Sequence, residues 1–183
     1  MYRYKDNEHV FVPLVVSFPC FNKWRRQNAS GNLEDGDSML YTNATKTAMR
    51  ICYDAHAGQV DKSGLPYVFH PFHLAEQMDT EHEVCAALLH DVMEDTDATA
   101  DDLVAAGIPR EYVATCLKLR HDPGVPYMDY VAALKDDPVA RRVKIADLTH
   151  NSDLTRLDHE PTETDLQRLE KYQAALRLLD SET

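Results

Sequence analysis

The sequence contains no CxxC pair, no basic patch of useful size, and no apolar run approaching the roughly 20 residues that a membrane-spanning helix requires. Its four cysteines, Cys20, Cys52, Cys85 and Cys116, lie far apart, and Cys52 and Cys85 fall inside apolar helical stretches. That spacing excludes a zinc knuckle and a disulfide framework and fits reduced, buried thiols in a cytoplasmic protein. The nearest thing to a signal sequence core, Val10 to Phe21, is interrupted by Pro13 and Pro19. The segment before it carries as many acids as bases and no small-residue cleavage site follows, so export is not expected. Positive charge is also scarce, with 19 Lys and Arg against 31 Asp and Glu and a formal net charge of −12. Such a surface repels phosphate backbones and anionic lipid, so neither nucleic acid nor a membrane is an expected partner. Trp24, Arg25 and Arg26 form a basic-aromatic patch too short to argue otherwise. The same acidity would repel a phosphorylated substrate from a carboxylate-built site unless a cation stood between them.

What is present is enough for one compact catalytic domain: 183 residues, 44% of them hydrophobic. Residues 1–38 mix Pro, Gly, Asn and charges without a sustained period and read as an N-terminal appendage, irregular or partly disordered. From Met39 to the end, residues 39–183, the pattern is helical. Ala44, Ala48, Ile51, Cys52 and Ala55 recur at spacings of three and four, and Gly58 closes that helix. A loop with Gly64 and Pro66 leads to a helix opened by Pro71, and a further helix is expected from about Glu81 to Glu94 with Val84, Ala87, Leu88 and Val92 facing a core. Thr99 with Asp102 forms a capping box, Pro109, Pro126 and Pro138 open later helices, and an amphipathic helix ends the chain. No strand alternation of useful length and no internal repeat occurs after residue 39. The expected fold is all-α, a single helical bundle.

Two polar constellations interrupt this apolar background. In LLHDVMEDT, the residues His90, Asp91, Glu94 and Asp95 occupy positions i, i+1, i+4 and i+5, which places four titratable groups on one stripe of a helix whose other face is apolar. Taken alone, that stripe could be a solvated acidic face with an incidental histidine. In VKIADLTHNSDL, Lys144, Asp147, His150 and Asn151 sit at helical spacing among aliphatic residues, with Asp147 and Asn151 one turn apart. A buried carboxylate there needs a cation, either Lys144 joining helices or a metal. His70 completes a set of two imidazoles and two carboxylates from three helices. Such a mixed N/O shell suits Mn²⁺, Fe²⁺, Co²⁺ or Zn²⁺ and leaves positions for water and a phosphate oxygen. A metal held there lowers the pKa of its bound water and neutralises charge on the phosphoryl group.

His70, the His90-Asp91 pair and Asp147 match the H…HD…D signature of the HD superfamily of metal-dependent phosphohydrolases, whose domains are all-α bundles. More narrowly, AHAGQVDKSGLPYVFHP, ALLHDVMEDT and VKIADLTHN resemble the hydrolase domain of RelA/SpoT-type alarmone enzymes and the stand-alone small alarmone hydrolases, over about residues 40 to 158. The resemblance implies hydrolysis of guanosine 3′,5′-bis(diphosphate), ppGpp, or its pentaphosphate relative, with release of the 3′-diphosphate as pyrophosphate and with Mn²⁺ as the usual metal. It implies His70, His90, Asp91 and Asp147 as ligands and Glu94 and Asp95 as the groups that position or deprotonate water. One turn beyond the ligands, those two carboxylates are near enough to act as general base without binding metal. Lys62 matches a position that contacts nucleotide or phosphate, and Asn151 one near the ribose. The sequence departs from the family at Asp61, where a basic residue is common; aspartate can neither stack on a base nor grip a phosphate. No synthetase region is expected after the hydrolase-like one.

Two other readings remain beside this one: an HD-type nucleotidase or phosphatase for another phosphorylated nucleotide, motivated by Asp61, and a nucleotide-binding module without turnover. Six costly polar groups argue against the latter. Of the remaining histidines, His56 reads as a hydrogen-bonded tie between the first helix and the ligand region, His73 as ambiguous, and His82, His121 and His159 as surface residues. Tyr127 and Tyr130 read as core, within reach of a nucleotide.

Overall fold

The computed structural model describes residues 40–181; the expected appendage over residues 1–38, with Cys20 and the Trp24 to Arg26 patch, lies outside them. Four helices start at a threonine whose hydroxyl accepts the N3 amide while the N3 side chain returns to the cap amide: Thr42 with Thr45, Thr80 with Glu83, Thr99 with Asp102, and Thr162 with Asp165. Each reciprocal pair satisfies two amides that a helix start leaves free. The helices are α1 (Asn43–Ala55), α2 (Phe69–Ala75), α3 (Glu81–Leu89), α4 (Val92–Asp95), α5 (Ala100–Ala105), α6 (Arg110–Leu119), α7 (Tyr127–Ala133), α8 (Pro138–Asn151) and α9 (Glu163–Asp180), with a 3-10 turn at Leu154–Arg156. Among the described residues the only β feature is an isolated bridge between Val60 and Pro66, so the fold is all-α, as expected. No described helix is long and apolar enough to cross a membrane.

The bundle is organised around α3, which packs against α1, α2, α6 and α8. Val84, Cys85, Ala86, Ala87, Leu88 and Leu89 are all fully buried, so this helix is enclosed on every side. The expectation of one apolar and one polar face is corrected here: α3 is a central helix, and its polar groups are confined to its ends. The expected continuous helix from Glu81 to Glu94 is also broken. His90 Nδ1 lies 2.8 Å from the Ala87 carbonyl, the acceptor that a continuing helix would offer to the Asp91 amide. Asp91, at φ −96° and ψ −11°, then serves as N-cap of α4.

The helix that carries Asp147 has its own anchor. Asp137 Oδ1 accepts the amides of Val139 at 3.1 Å and Ala140 at 3.0 Å, Oδ2 meets Lys118 Nζ at 2.7 Å, and Pro138 occupies the first helical position. Burial, which alone would raise the Asp137 pKa, is outweighed by the Ala140 amide and the Lys118 ammonium, and the carboxyl is held below its ordinary value. A lowered carboxyl pKa stabilises the fold above the unfolded value and loses that contribution as pH falls through the folded one. Asp137→Ala should therefore lower the unfolding free energy by about 1–2 kcal/mol at neutral pH. In urea titrations the gap from wild type should narrow below about pH 4; a gap independent of pH would show that the carboxylate charge contributes nothing.

Candidate active site

Three ends of this scaffold converge. His70 sits in the first turn of α2, His90 and Asp91 at the break after α3, and Asp147 near the C-terminus of α8. His70 and His90 are each 3% exposed and Asp147 6%. One donor atom from each of His70, His90 and Asp147 lies within 4.8 Å of the others. Asp91 closes the group: its Oδ2 is 2.9 Å from His90 Nε2 and 3.9 Å from His70 Nε2, and it accepts the Tyr67 hydroxyl.

The hydrogen bonds around the two imidazoles aim one nitrogen of each inward. His90 donates from Nδ1 to the Ala87 carbonyl, which leaves Nε2 as the other ring atom. His70 Nδ1 lies 2.6 Å from His150 Nδ1, the rings being stacked with centroids 4.9 Å apart. Burial, then Arg156, His70 and His73, press the His150 pKa down to about 3, so its ring is neutral. With the shared proton assigned to His70 Nδ1, His70 Nε2 also faces inward with a free lone pair. Both Nε2 atoms are buried and make no aligned hydrogen bond, although each lies close to a carboxylate oxygen. Buried nitrogens are seldom left so unless something else occupies the position.

The carboxylates are tuned by the same crowding. At Asp147 burial is outweighed by Lys144 and by His70 and His90, and the pKa is driven far down; Oδ2 meets Lys144 Nζ at 2.8 Å and Oδ1 accepts Asn151 Nδ2 at 2.6 Å. The pairing with Lys144 is thus real, yet Oδ1 also lies 3.3 Å from His70 Nε2, so it faces the histidines as well. Asp91 falls to about 2, burial being outweighed by His90. His90 moves the other way: burial lowers its pKa, but Asp91 and Asp147 together raise it to about 9. The centre therefore attracts positive charge. Where a cation displaces the proton held at His90, two lone pairs and two ionised oxygens make a donor set that fits a borderline divalent ion such as Mn²⁺, Fe²⁺, Co²⁺ or Zn²⁺, with His150 and the Ala87 carbonyl orienting the candidate ligands from behind.

Two cavities flank this centre and share Tyr67 and Asn151. One, of about 260 Å³, is bordered by Val60, Lys62, Leu154, Leu157 and Arg168. The other, of about 360 Å³, is bordered by Asp91, Glu94, Asp95, Asp147 and Lys171. Glu94 and Asp95 thus reach the same space as the candidate ligands. Burial, then the charges of Asp91 and Glu94, raise the Asp95 pKa, while Glu94 Oε2 accepts the His121 amide at 3.2 Å.

The 260 Å³ cavity explains Asp61. Its Oδ1 accepts the amides of Ser63 at 2.9 Å and Leu65 at 3.0 Å, folding the loop, and its Oδ2 lies 3.2 Å from Arg156 Nη2. A positive group thus lines the cavity after all, from the segment following α8. Lys62 pairs with Asp165 on α9 at 2.9 Å and remains half exposed beside the cavity.

Sequence reasoning did not assign roles to Tyr67, His150 or Arg156, although Tyr67 and His150 lie within the motifs. It also placed His82 and His121 on the surface, whereas both are partly buried. His82 Nε2 lies 2.9 Å from Thr115 Oγ1, and His121 Nε2 lies 2.8 Å from the Val125 carbonyl. His56 is buried and bonds Gln59 at 2.8 Å, with its ring beside Tyr67.

Paired histidines and aspartates from separate helices of an all-helical domain meet between two cavities, the arrangement that the resemblance to HD-type domains implies. The curated proteins that the chain is similar to include (p)ppGpp hydrolases and a GTP pyrophosphokinase. No protein-family model matches the sequence. The chain is 34% identical over 120 aligned positions to the bifunctional (p)ppGpp synthase/hydrolase SpoT of Escherichia coli, covering 58% of this chain and 17% of that protein. It is 36% identical over 115 positions to the guanosine-3′,5′-bis(diphosphate) 3′-pyrophosphohydrolase of Haemophilus influenzae, covering 55% of this chain and 17% of that one. A GTP pyrophosphokinase of Myxococcus xanthus is 30% identical over 173 positions, 82% of this chain and 22% of its own. The chain therefore spans less than a quarter of the length of these curated relatives. Among solved structures, a metazoan ortholog of SpoT, described as hydrolysing ppGpp, shares the fold with a TM-score of 0.58 and 21% identity, over 78% of this chain and 86% of its own.

Proposed function

We propose that this chain is a metal-dependent phosphohydrolase of the cytoplasm that cleaves the 3′-diphosphate from guanosine 3′,5′-bis(diphosphate) or its pentaphosphate relative, releasing pyrophosphate. The observation that carries the reading is the pair of buried Nε2 atoms of His70 and His90, which make no aligned hydrogen bond and face the carboxylates of Asp147 and Asp91. These four residues are the ligands of one divalent metal, Mn²⁺ first and Fe²⁺, Co²⁺ or Zn²⁺ as alternatives. When bound, the metal supplies Lewis acidity and offsets negative charge at the phosphoryl group. The relatives named for hydrolysis of the bis(diphosphate) support the substrate. The buried thiols of Cys52, Cys85 and Cys116 support a reducing compartment.

The chain's own residues divide the remaining work. Asp95 and Glu94 take the proton from the attacking water in the larger cavity, and the raised pKa of Asp95 makes it the better acceptor. Lys62 and Asn151 border the smaller cavity and hold the nucleoside part; Asn151 also fixes Asp147 through its amide. Tyr67, at the junction, holds the Asp91 carboxylate in place.

A second reading, hydrolysis of another phosphorylated nucleotide, is favoured by one feature. Asp61 stands where the family resemblance implies a basic residue, and its carboxylate ties up Arg156 in the smaller cavity. Metal-stripped protein given Mn²⁺ and ppGpp, with products resolved by anion exchange, should yield GDP and pyrophosphate only with metal. Inert ppGpp beside metal-dependent cleavage of another nucleotide in a panel would move the second reading to the front.

A further inference from the structure

The larger cavity poses an electrostatic difficulty. Four carboxylates, Asp91, Glu94, Asp95 and Asp147, border it, and a phosphate chain cannot enter without countercharge. One divalent ion offsets two of these charges, and the ammonium of Lys144 is already committed to Asp147 at 2.8 Å. The other lysine of the cavity, Lys171 on α9, is differently placed. Its Nζ stands 4.5 Å from the centroid of the Tyr127 ring and 5.2 Å from that of Tyr172. Among the described residues no carboxylate oxygen lies within 4.0 Å of it. Burial, then the neighbouring charges of Arg168 and Lys144, lower its pKa. Two aromatic faces hold a cation in position without neutralising it.

We propose that Lys171 binds the distal phosphate of the diphosphate group being removed and holds the pyrophosphate product until release. The inference rests on the hydrolase reading above and assigns the two ends of the substrate to the two cavities. The nucleoside lies against Val60, Leu154 and Leu157 on one side, and the 3′-diphosphate extends past the candidate metal centre towards Lys171 on the other. Lys171 is a binding and positioning residue that forms no covalent bond. Its exposed side chain makes Lys171→Met compatible with folding, and Lys171→Arg retains the charge on the tyrosine faces.

The test is calorimetric titration of Mn²⁺-loaded protein with pyrophosphate premixed with Mn²⁺, and separately with GDP, for wild type and both variants, beside the ppGpp cleavage assay. Lys171→Met should weaken pyrophosphate binding by about tenfold, the scale of one lost charge-assisted contact. GDP affinity should stay unchanged, and Lys171→Arg should recover most of the loss. Equal pyrophosphate affinity in wild type and Lys171→Met, a parallel loss for GDP, or no pyrophosphate binding by wild type would each overturn the proposal. Cleavage of ppGpp with Lys171-independent pyrophosphate binding removes this inference alone. Lys171-dependent pyrophosphate binding without ppGpp cleavage removes the substrate assignment and leaves the inference standing.

Discussion

Asp147→Ala should yield a helical protein that no longer retains metal and no longer hydrolyses nucleotide. Loss of an outer-shell partner typically costs roughly 10–100-fold in metal affinity, and removal of a ligand should exceed the upper figure. The substitution also strands Lys144, whose ammonium meets Asp147 at 2.8 Å with 14% of its side chain exposed. Breaking one side of a buried ion pair costs about 3–5 kcal/mol, so thermal stability should fall together with metal content. The two effects separate in the double variant Asp147→Ala/Lys144→Met, which removes the stranded charge. It should regain much of the stability and none of the metal, read by metal analysis beside circular dichroism. If the double variant bound metal stoichiometrically, Asp147 would be a structural partner of Lys144 and not a ligand.

Substitution at the acidic pair of α4 should have the opposite signature. Asp95→Asn should keep one metal per chain and lose turnover by roughly 10²–10⁴-fold, the usual contribution of a general base. Glu94→Gln should cost less, because Glu94 is partly engaged by the His121 amide at 3.2 Å and burial raises Asp95. If the two carboxylates act on one water, the double variant should be scarcely worse than Asp95→Asn alone. Native-rate hydrolysis by both single variants would place the proton acceptor elsewhere, and loss of metal from either would move that residue into the ligand set.

Much of this arrangement was legible in the sequence, because helices announce themselves locally. The Thr99 and Asp102 capping box, the prolines at the starts of α6, α7 and α8, and the three- and four-residue spacing in α1 all operate within a turn or two of chain. The candidate site was legible through its motif residues, His70, His90, Asp91 and Asp147. The break between α3 and α4 was hidden, because the helical period continues through it and only the His90 contact with Ala87 reveals the diversion. The pairing of His70 with His150, of Asp61 with Arg156 and of Lys62 with Asp165 was hidden for another reason. These partners lie 80, 95 and 103 residues apart and carry no periodic signal. Asp61 shows the cost of reading such a position alone, since the apparent loss of a positive group is answered by an arginine brought in from a distant segment.

The enclosure of α3 bears on how the centre assembles. His90 and Asp91 hang from the end of a helix with no solvent face, so they reach their places only when α1, α2, α6 and α8 have closed around it. Local fraying that frees loops and terminal turns elsewhere has no counterpart there, because releasing His90 means opening the interior itself. Any ion that prefers the assembled centre to the open chain therefore reinforces the whole bundle by mass action. On the proposed reading, stripping that ion should lower the melting temperature of the whole bundle and not of one corner, which thermal unfolding with and without chelator would read.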